Sequence, residues 1–564
     1  MRKRDFLIGI FFVCTALFVT FPAVLSIGSK IIGDSGDTYQ FLGFQYIAKR
    51  EFFAGRFPFG WTDFWRYPYG IHAESIMDSS LFTIMGLWWY SFTSNPILVY
   101  NLSVLSMIIF NLAVSYLAFR MKFRRLVSVL ASIMYGLSFY AIGKLGGHMN
   151  LFSLSGFSLC FFSVLKLYES HGRLRYFLLS GLSTLIIAFS SLQYPLFFVG
   201  GLPFLIPLLL IFYRKESLEF ILILWKKKIS VILTLCMIFA VFLPFHGHKL
   251  EELLAGDVPM PVFHIVTVPI LDFLIPNTYL KTLIGVVPSG SKEWIDYTLP
   301  FGYIELTLFI IAIFALRRSR HAWFLLSGFS IFFLLALGVQ DWLPQLWPYQ
   351  YLFPHFPYRG ITEPGRFFII FYLMATVLVA LYLTQIKNIK ILILIIVLLL
   401  VERIPIGFQL SPNQYDPEFI VKVKEPPSRA ILDLPIQVDW WNGQMYDIYS
   451  VYYEKPIVNG YVQWSGNFPI SQTLVKELEP YTCYPEPQYA PKDFDQNSAE
   501  RLRDDLIRQM RFYDIHTVVL HKDLNIEDEH CTRAKRYIDV LLADQSRWLE
   551  VYQSDKKLIL WLKD

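Results

Sequence analysis

Charge is scarce in this chain of 564 residues: Asp, Glu, Lys and Arg make up 17% of it, against about 25% in an ordinary soluble domain. Cysteine is scarce too. Five in the whole chain, without zinc-type spacing, exclude a disulfide scaffold and a zinc framework. There is no Walker A sequence, no dinucleotide glycine fingerprint, no heptad run and no short internal repeat. P-loop, Rossmann, coiled-coil and solenoid readings are thereby excluded. Basic residues occur only as short clusters between apolar runs, so no nucleic acid partner is expected.

What the chain has in excess is apolar sequence: 55% hydrophobic and 17% aromatic residues. Runs of near-spanning length fall at 6–26, 97–119, 125–143, 148–168, 174–192, 194–213, 228–245, 299–316, 322–338, 366–384 and 388–403. The first, after "MRKR", is longer than a signal-peptide core and reads as a retained span. The expected fold class is a polytopic α-helical membrane protein with about eleven transmembrane helices. "LFTIMGLWWYSF" (81–92) is too short for a span and reads as a re-entrant or interfacial helix.

Charges then set the sidedness. The connections "MRKR", "RMKFRR", "KLYESHGRLR", "YRKESLEFILILWKKK", "RRSRH" and "QIKNIK" are short and basic, as cytoplasmic loops are. The N-terminus is therefore expected in the cytoplasm of a multi-pass cytoplasmic-membrane protein. Segments 27–80, 246–298 and 339–365 become outer loops of a membrane domain, 1–403. Residues 404–564 carry most of the mixed-charge sequence and alternate strand and helix patterns. They read as an extracytoplasmic α/β domain, in which Cys483 and Cys531 can pair. Cys14, Cys160 and Cys236 lie in apolar runs and read as packing residues.

The first outer loop gathers acids: Asp34, Asp37, Glu51, Asp63, Glu74 and Asp78, with His72, among many aromatics. Carboxylates near a membrane surface are solvated, paired, metal-bound or catalytic. "DTYQFLGFQYIAKREFFAG" suits a helix lying on the surface, with Tyr39, Phe41, Phe44, Tyr46 and Ile47 against lipid. Asp37 then either caps that helix or joins Asp34 in a paired-acid site, one acting as general base and the other holding Mg²⁺ or Mn²⁺. Further polar residues expected on the same face are His148 in "GGHMN", Arg359, Glu363 and Arg366 in "FPYRGITEPGRF", and Glu293 and Asp296 in "EWIDY". Arg366 suits a phosphate oxygen or a partner such as Glu363. His246 and His248 in "FHGHK" read as solvated histidines rather than a metal pair. Glu305, inside an apolar run, is either functional or paired.

In order along the chain, the acidic pair after span one, "AGRFPFGWTDFWRYPYG", "GGHMNLFSL", "ILDFLIPN" and "FPYRGITEPGRFFII" together resemble the GT-C membrane glycosyltransferases, specifically their large prokaryotic branch. The resemblance covers roughly 27–400. It implies a GT-C-like fold and a cell-envelope enzyme, a hexosyl- or pentosyltransferase. The donor it implies is a sugar on a polyprenyl phosphate, and the acceptor an outer-face glycan, lipid or protein. The first-loop aspartate is the base or a metal contact in that family, which matches Asp34 or Asp37. The spacing Asp34-Ser-Gly-Asp37 is not a strict D-x-D and leaves the two unassigned. Candidate phosphate- or substrate-binding residues are His148, Arg359, Arg366, Glu363, His72 and Glu74. The alternatives are a transporter or lipid-linked sugar flippase, and a non-catalytic protein of the same fold.

Overall fold

The computed structural model describes residues 3–33, 37–255, 301–339, 347–355, 357–358, 361, 363–403, 410–411, 416–437, 440–458, 478–483, 495–522 and 531–563. Each of the eleven expected apolar runs carries helix. Five of these helices are long and apolar enough to cross a membrane unaided. The chain is a multi-pass helical membrane protein with a C-terminal α/β region.

The helices that matter below are α1 (Lys3–Val19), α2 (Asp37–Phe53), α3 (Ala73–Ile76), α4 (Ser80–Tyr90), α5 (Pro96–Arg120), α6 (Arg125–Gly136), α7 (Phe139–Lys144), α8 (Ser155–Glu169), α9 (Leu174–Ser190), α10 (Tyr194–Lys226), α11 (Lys228–Ala255), α12 (Tyr303–Leu316), α13 (Arg320–Ala336), α14 (Pro348–Leu352), α15 (Phe368–Leu383) and α16 (Ile389–Glu402). Two expected spans are broken. The run 125–143 splits at Leu137–Ser138, where the Ser138 hydroxyl caps α7 by accepting from Ala141 N–H at 3.2 Å. The run 148–168 begins with an irregular stretch, and α8 starts only at Ser155. Asn111, buried within α5, holds both breaks: its amide donates to the Gly136 carbonyl at 2.7 Å and its oxygen accepts from Ser155 N–H at 2.8 Å. Backbone groups freed inside lipid need such partners.

Contacts sort the connections into two ends. At one end Asp5 pairs with Arg125 at 3.6 Å, Lys122 with Glu169 at 2.6 Å, and Glu216 with Arg320. The short basic connections therefore do share one end of the bundle. At the other end the chain leaving α1 is tied to α5: Asn101 donates to the carbonyls of Ile27 and Lys30, each at 2.7 Å, and accepts from Ile32 N–H at 2.9 Å.

The α/β region lies at this second end. Its sheet has the order β5 (Ile431–Leu434), β8 (Thr517–His521), β10 (Lys557–Leu562), β9 (Trp548–Gln553), with β5 and β8 parallel and the others antiparallel. The short strands are β1 (Ile31–Ile32), β2 (Trp61–Thr62), β3 (Ile71–His72), β4 (Leu410–Ser411), β6 (Ile436–Gln437) and β7 (Thr482–Cys483). Helices α17 (Pro417–Lys424), α18 (Trp440–Tyr453), α19 (Gln496–Phe512) and α20 (Thr532–Leu542) complete it. Cys483 and Cys531 form a disulfide. Of the other cysteines Cys160 is buried, whereas Cys14 and Cys236 lie exposed on their helices rather than in the packed core.

The surface-helix reading of 37–55 needs correcting. The helix exists, but Tyr39, Phe41, Phe44 and Ile47 are buried in protein. Here α2 is enclosed by α4 and α18, and Gly43 lets Trp65 approach so closely that a Cβ there would sit 2.6 Å from the indole. Trp65 in turn donates to Ser450 Oγ at 3.0 Å, and Ile457 exchanges backbone hydrogen bonds with Phe64 and Tyr67 at 2.9 and 3.0 Å. The α/β region thus clamps the first loop.

Glu305 is paired. Its carboxylate meets Arg403 and accepts from Tyr372, and both Glu305 and Arg403 are without solvent exposure. Arg403 also donates to the carbonyls of Leu137 and Leu399 at 2.6 and 2.9 Å. The pair therefore ties α16 to α12, α15 and the α6–α7 break. Removing one member strands a buried charge, so R403M should lose about 3–5 kcal/mol, whereas E305Q/R403M should lose much less. Thermal unfolding in detergent measures both, and equal losses would contradict the pairing.

Candidate active site

The second end of the bundle holds the site, and backbone placement starts it. β1 pairs antiparallel with β4, Ile31 opposite Ser411, and Ser411 Oγ donates to the Gly33 carbonyl at 2.8 Å. Gly33 has φ +122°, and a Cβ there would lie 2.6 Å from Thr38 Oγ1 and 3.1 Å from the Gly146 carbonyl oxygen. Only glycine allows this approach. It lays the acidic loop directly on the "GGH" turn.

Asp37 is the first residue of α2, where exposed amide dipoles favour an anion. It is 8% exposed, and its Oδ2 lies 3.0 Å from Nδ1 of His148. His148 is placed by the end of α7, its N–H bonding to the Lys144 carbonyl at 3.0 Å. That bond also fixes Lys144, a lysine with no solvent exposure. Burial pushes the Lys144 ammonium well below its ordinary value and Arg366 pushes it further, while Glu363 and Asp37 oppose the shift. Arg366 is held by Glu363 and by the Gln193 side-chain oxygen, at the turn entering α15. Asp37, His148, Glu363 and Arg366, chosen from the sequence, are therefore brought to one place, with Lys144 among them.

A neighbouring carboxylate braces the floor. Asp78 accepts from Asn150, from Leu192 N–H at 2.9 Å and from Ser191 Oγ at 3.3 Å. Tyr194 donates to the Leu151 carbonyl alongside. These bonds fix the stretch from His148 to the start of α8 against the start of α10.

No family model and no curated protein matches the sequence. Solved structures do. The chain is similar to ArnT. For ArnT from Cupriavidus metallidurans in the apo state the TM-score is 0.48 at 12% identity, covering 99% of this chain and 98% of that one. For the same protein bound to undecaprenyl phosphate the TM-score is 0.44 at 11% identity, covering 98% and 97%. The apo oligosaccharyltransferase of Archaeoglobus fulgidus gives 0.45 at 12% identity, covering all of this chain and 75% of that one.

The remaining candidates fall elsewhere or outside the described residues. His72 and Glu74 face the end of α11: the His72 and His248 rings lie 4.0 Å apart, and Glu74 accepts from His248 N–H at 3.1 Å. His246 is buried and hydrogen-bonded to Ser80 at 3.2 Å, which corrects the reading of both histidines as solvated. Asp34, Arg359, Glu293 and Asp296 lie outside the described residues. Mg²⁺ or Mn²⁺ needs several oxygen ligands. Among the described residues no group of three His, Cys, Asp or Glu is placed to hold a metal ion, and Asp37 stands with His148, Lys144 and Arg366 instead.

Lys144, Asp78 and Gln193 were missed as site residues in the sequence. Lys144 ends an apolar run, where lysine is ordinary, and its spacing of four before His148 was the available signal.

Burial raises the Asp78 carboxyl above its ordinary 3.8. As pH rises past 3.8 the unfolded chain loses that proton first, so the folded state loses stability until the raised value is passed. D78N should remove this fall. Thermal unfolding from about pH 4 to about pH 8 measures it, and an unchanged slope would place the charge elsewhere.

Proposed function

We propose that the chain is a GT-C-type glycosyltransferase. It moves a hexosyl or pentosyl unit from a polyprenyl-phosphate carrier to an outer-face glycan, lipid or protein. The observation that carries this reading is the meeting of Asp37, His148, Lys144 and Arg366 at one end of a membrane bundle. A carboxylate and two buried cations answer the two needs of the reaction, a proton acceptor and a counter-charge for a leaving phosphate.

The step is a displacement at the anomeric carbon. The acceptor hydroxyl forms the new bond, and Asp37 takes its proton. His148, donating to Asp37, holds the carboxylate in orientation. The bond from the anomeric carbon to the phosphate oxygen breaks, and the polyprenyl phosphate leaves with its electron pair. Lys144 and Arg366 meet the charge it gains. A phosphate anion beside Lys144 favours the charged form of its amine. In-line attack inverts the anomeric centre. The basic end of the bundle supports a cytoplasmic N-terminus and a site on the outer face.

Transfer of labelled sugar from total polyprenyl-phosphate sugars tests the reading. D37N should lower the transfer rate by about 10²–10⁴. K144M should raise the donor KM by about 10–100-fold, the scale of a lost hydrogen bond to a charged group. D34N is compared beside them. Transfer unaffected by D37N would remove Asp37 as the base, and transfer lost only in D34N would move the base to Asp34.

A further inference from the structure

Helix α10 runs for 33 residues, Tyr194–Lys226. A straight helix of that length reaches about 50 Å, well beyond a hydrocarbon core of about 30 Å. The excess is dealt with at Tyr213, whose φ of −139° and ψ of 40° are not helical. Residues 194–212 are a span that starts beside the candidate active site at Gln193 and Tyr194. Residues 214–226 are a second helix at the opposite, basic end of the bundle.

This second helix has two unlike faces. Ile223 points into the protein, and Glu216 and Glu219 are each held by a partner on a neighbouring element. Glu216 pairs with Arg320, Glu219 accepts from the Tyr168 hydroxyl at 3.1 Å, and Ile223 is buried against the turn at Gly172. Leu218, Ile221, Leu222 and Trp225 lie three or four residues apart on the other face and are exposed, Trp225 at 76%. Exposed basic residues stand at both ends: Arg214 and Lys215 before the stripe, Lys226, Lys227 and Lys228 after it. Both acids of the segment are engaged, Glu216 by Arg320 and Glu219 by Tyr168, so the apolar stripe is flanked by basic residues whose charge they do not neutralise.

We infer that 214–228 lies in the plane of the membrane and is a binding surface for anionic phospholipid headgroups. The apolar stripe sits in the acyl region, with Trp225 at the headgroup level, and the five cations meet the lipid phosphates. Continuity with the span at Tyr213 puts the helix at the bilayer surface. Charge selects anionic over zwitterionic lipid.

The test uses the full chain in nanodiscs of phosphatidylcholine, with and without phosphatidylglycerol. L222C, made in a chain whose Cys14, Cys160 and Cys236 are replaced, carries an environment-sensitive dye. Doxyl groups on the lipid near the glycerol should quench it severalfold. Phosphatidylglycerol retained through purification should fall severalfold in K226Q/K227Q/K228Q. A dye that stays quenched without any phosphatidylglycerol preference overturns the headgroup assignment. A dye shielded only when copies of the chain associate assigns the stripe to a protein contact and overturns the proposal as well. Neither readout depends on sugar transfer.

Discussion

Burying charge at the edge of a membrane is costly, and the second end of this molecule is organised by that cost. Asp37 and Lys144 are both nearly or fully buried. They persist because each sits beside a polar or charged partner: Asp37 on His148, Lys144 near Glu363 and Asp37, with Arg366 on Glu363. None of these contacts is local in sequence except the last. The fold must bring α2, the α7 turn and the entry to α15 to one point, and much of the irregular backbone exists to do so. Gly33 against Gly146, Asn101 on the loop after α1, and Asn111 at the two helix breaks are the means.

The α/β region belongs to the same construction. Its helix α18 covers the aromatic side of α2, and its segment at Ile457 pairs with the first loop through the backbone. A helix lying on a membrane surface would otherwise move with the lipid. Enclosed on both sides, it holds Asp37 to one orientation. The buried Glu305–Arg403 pair performs the matching task beneath, fixing the last described membrane helix to α12 and α15 just before the chain enters this region.

Apolar periodicity made the membrane helices legible, because a span of lipid demands a long run of apolar side chains wherever it occurs. Strand and helix patterns in the tail were legible for the ordinary reason that they alternate. The burial of Tyr39, Phe41, Phe44 and Ile47 was not legible: an aromatic helix face reads the same whether lipid or α18 covers it. The breaks at Ser138 and before Ser155 were hidden inside runs apolar enough to span. In the site, Asp37, His148, Glu363 and Arg366 could be chosen because polar residues beside spans are conspicuous. Lys144 was not chosen, since a lysine ending a span is commonplace and its importance comes only from burial.

The most direct measurement is where a polyprenyl phosphate sits on the intact protein. A photoactivatable carrier, cross-linked in membranes and mapped by peptide mass, reports it without knowledge of sugar or acceptor. The account predicts adducts within 140–150 and 361–367 that disappear in R366M. Adducts spread only over the lipid-facing helices, unchanged by R366M, would contradict it.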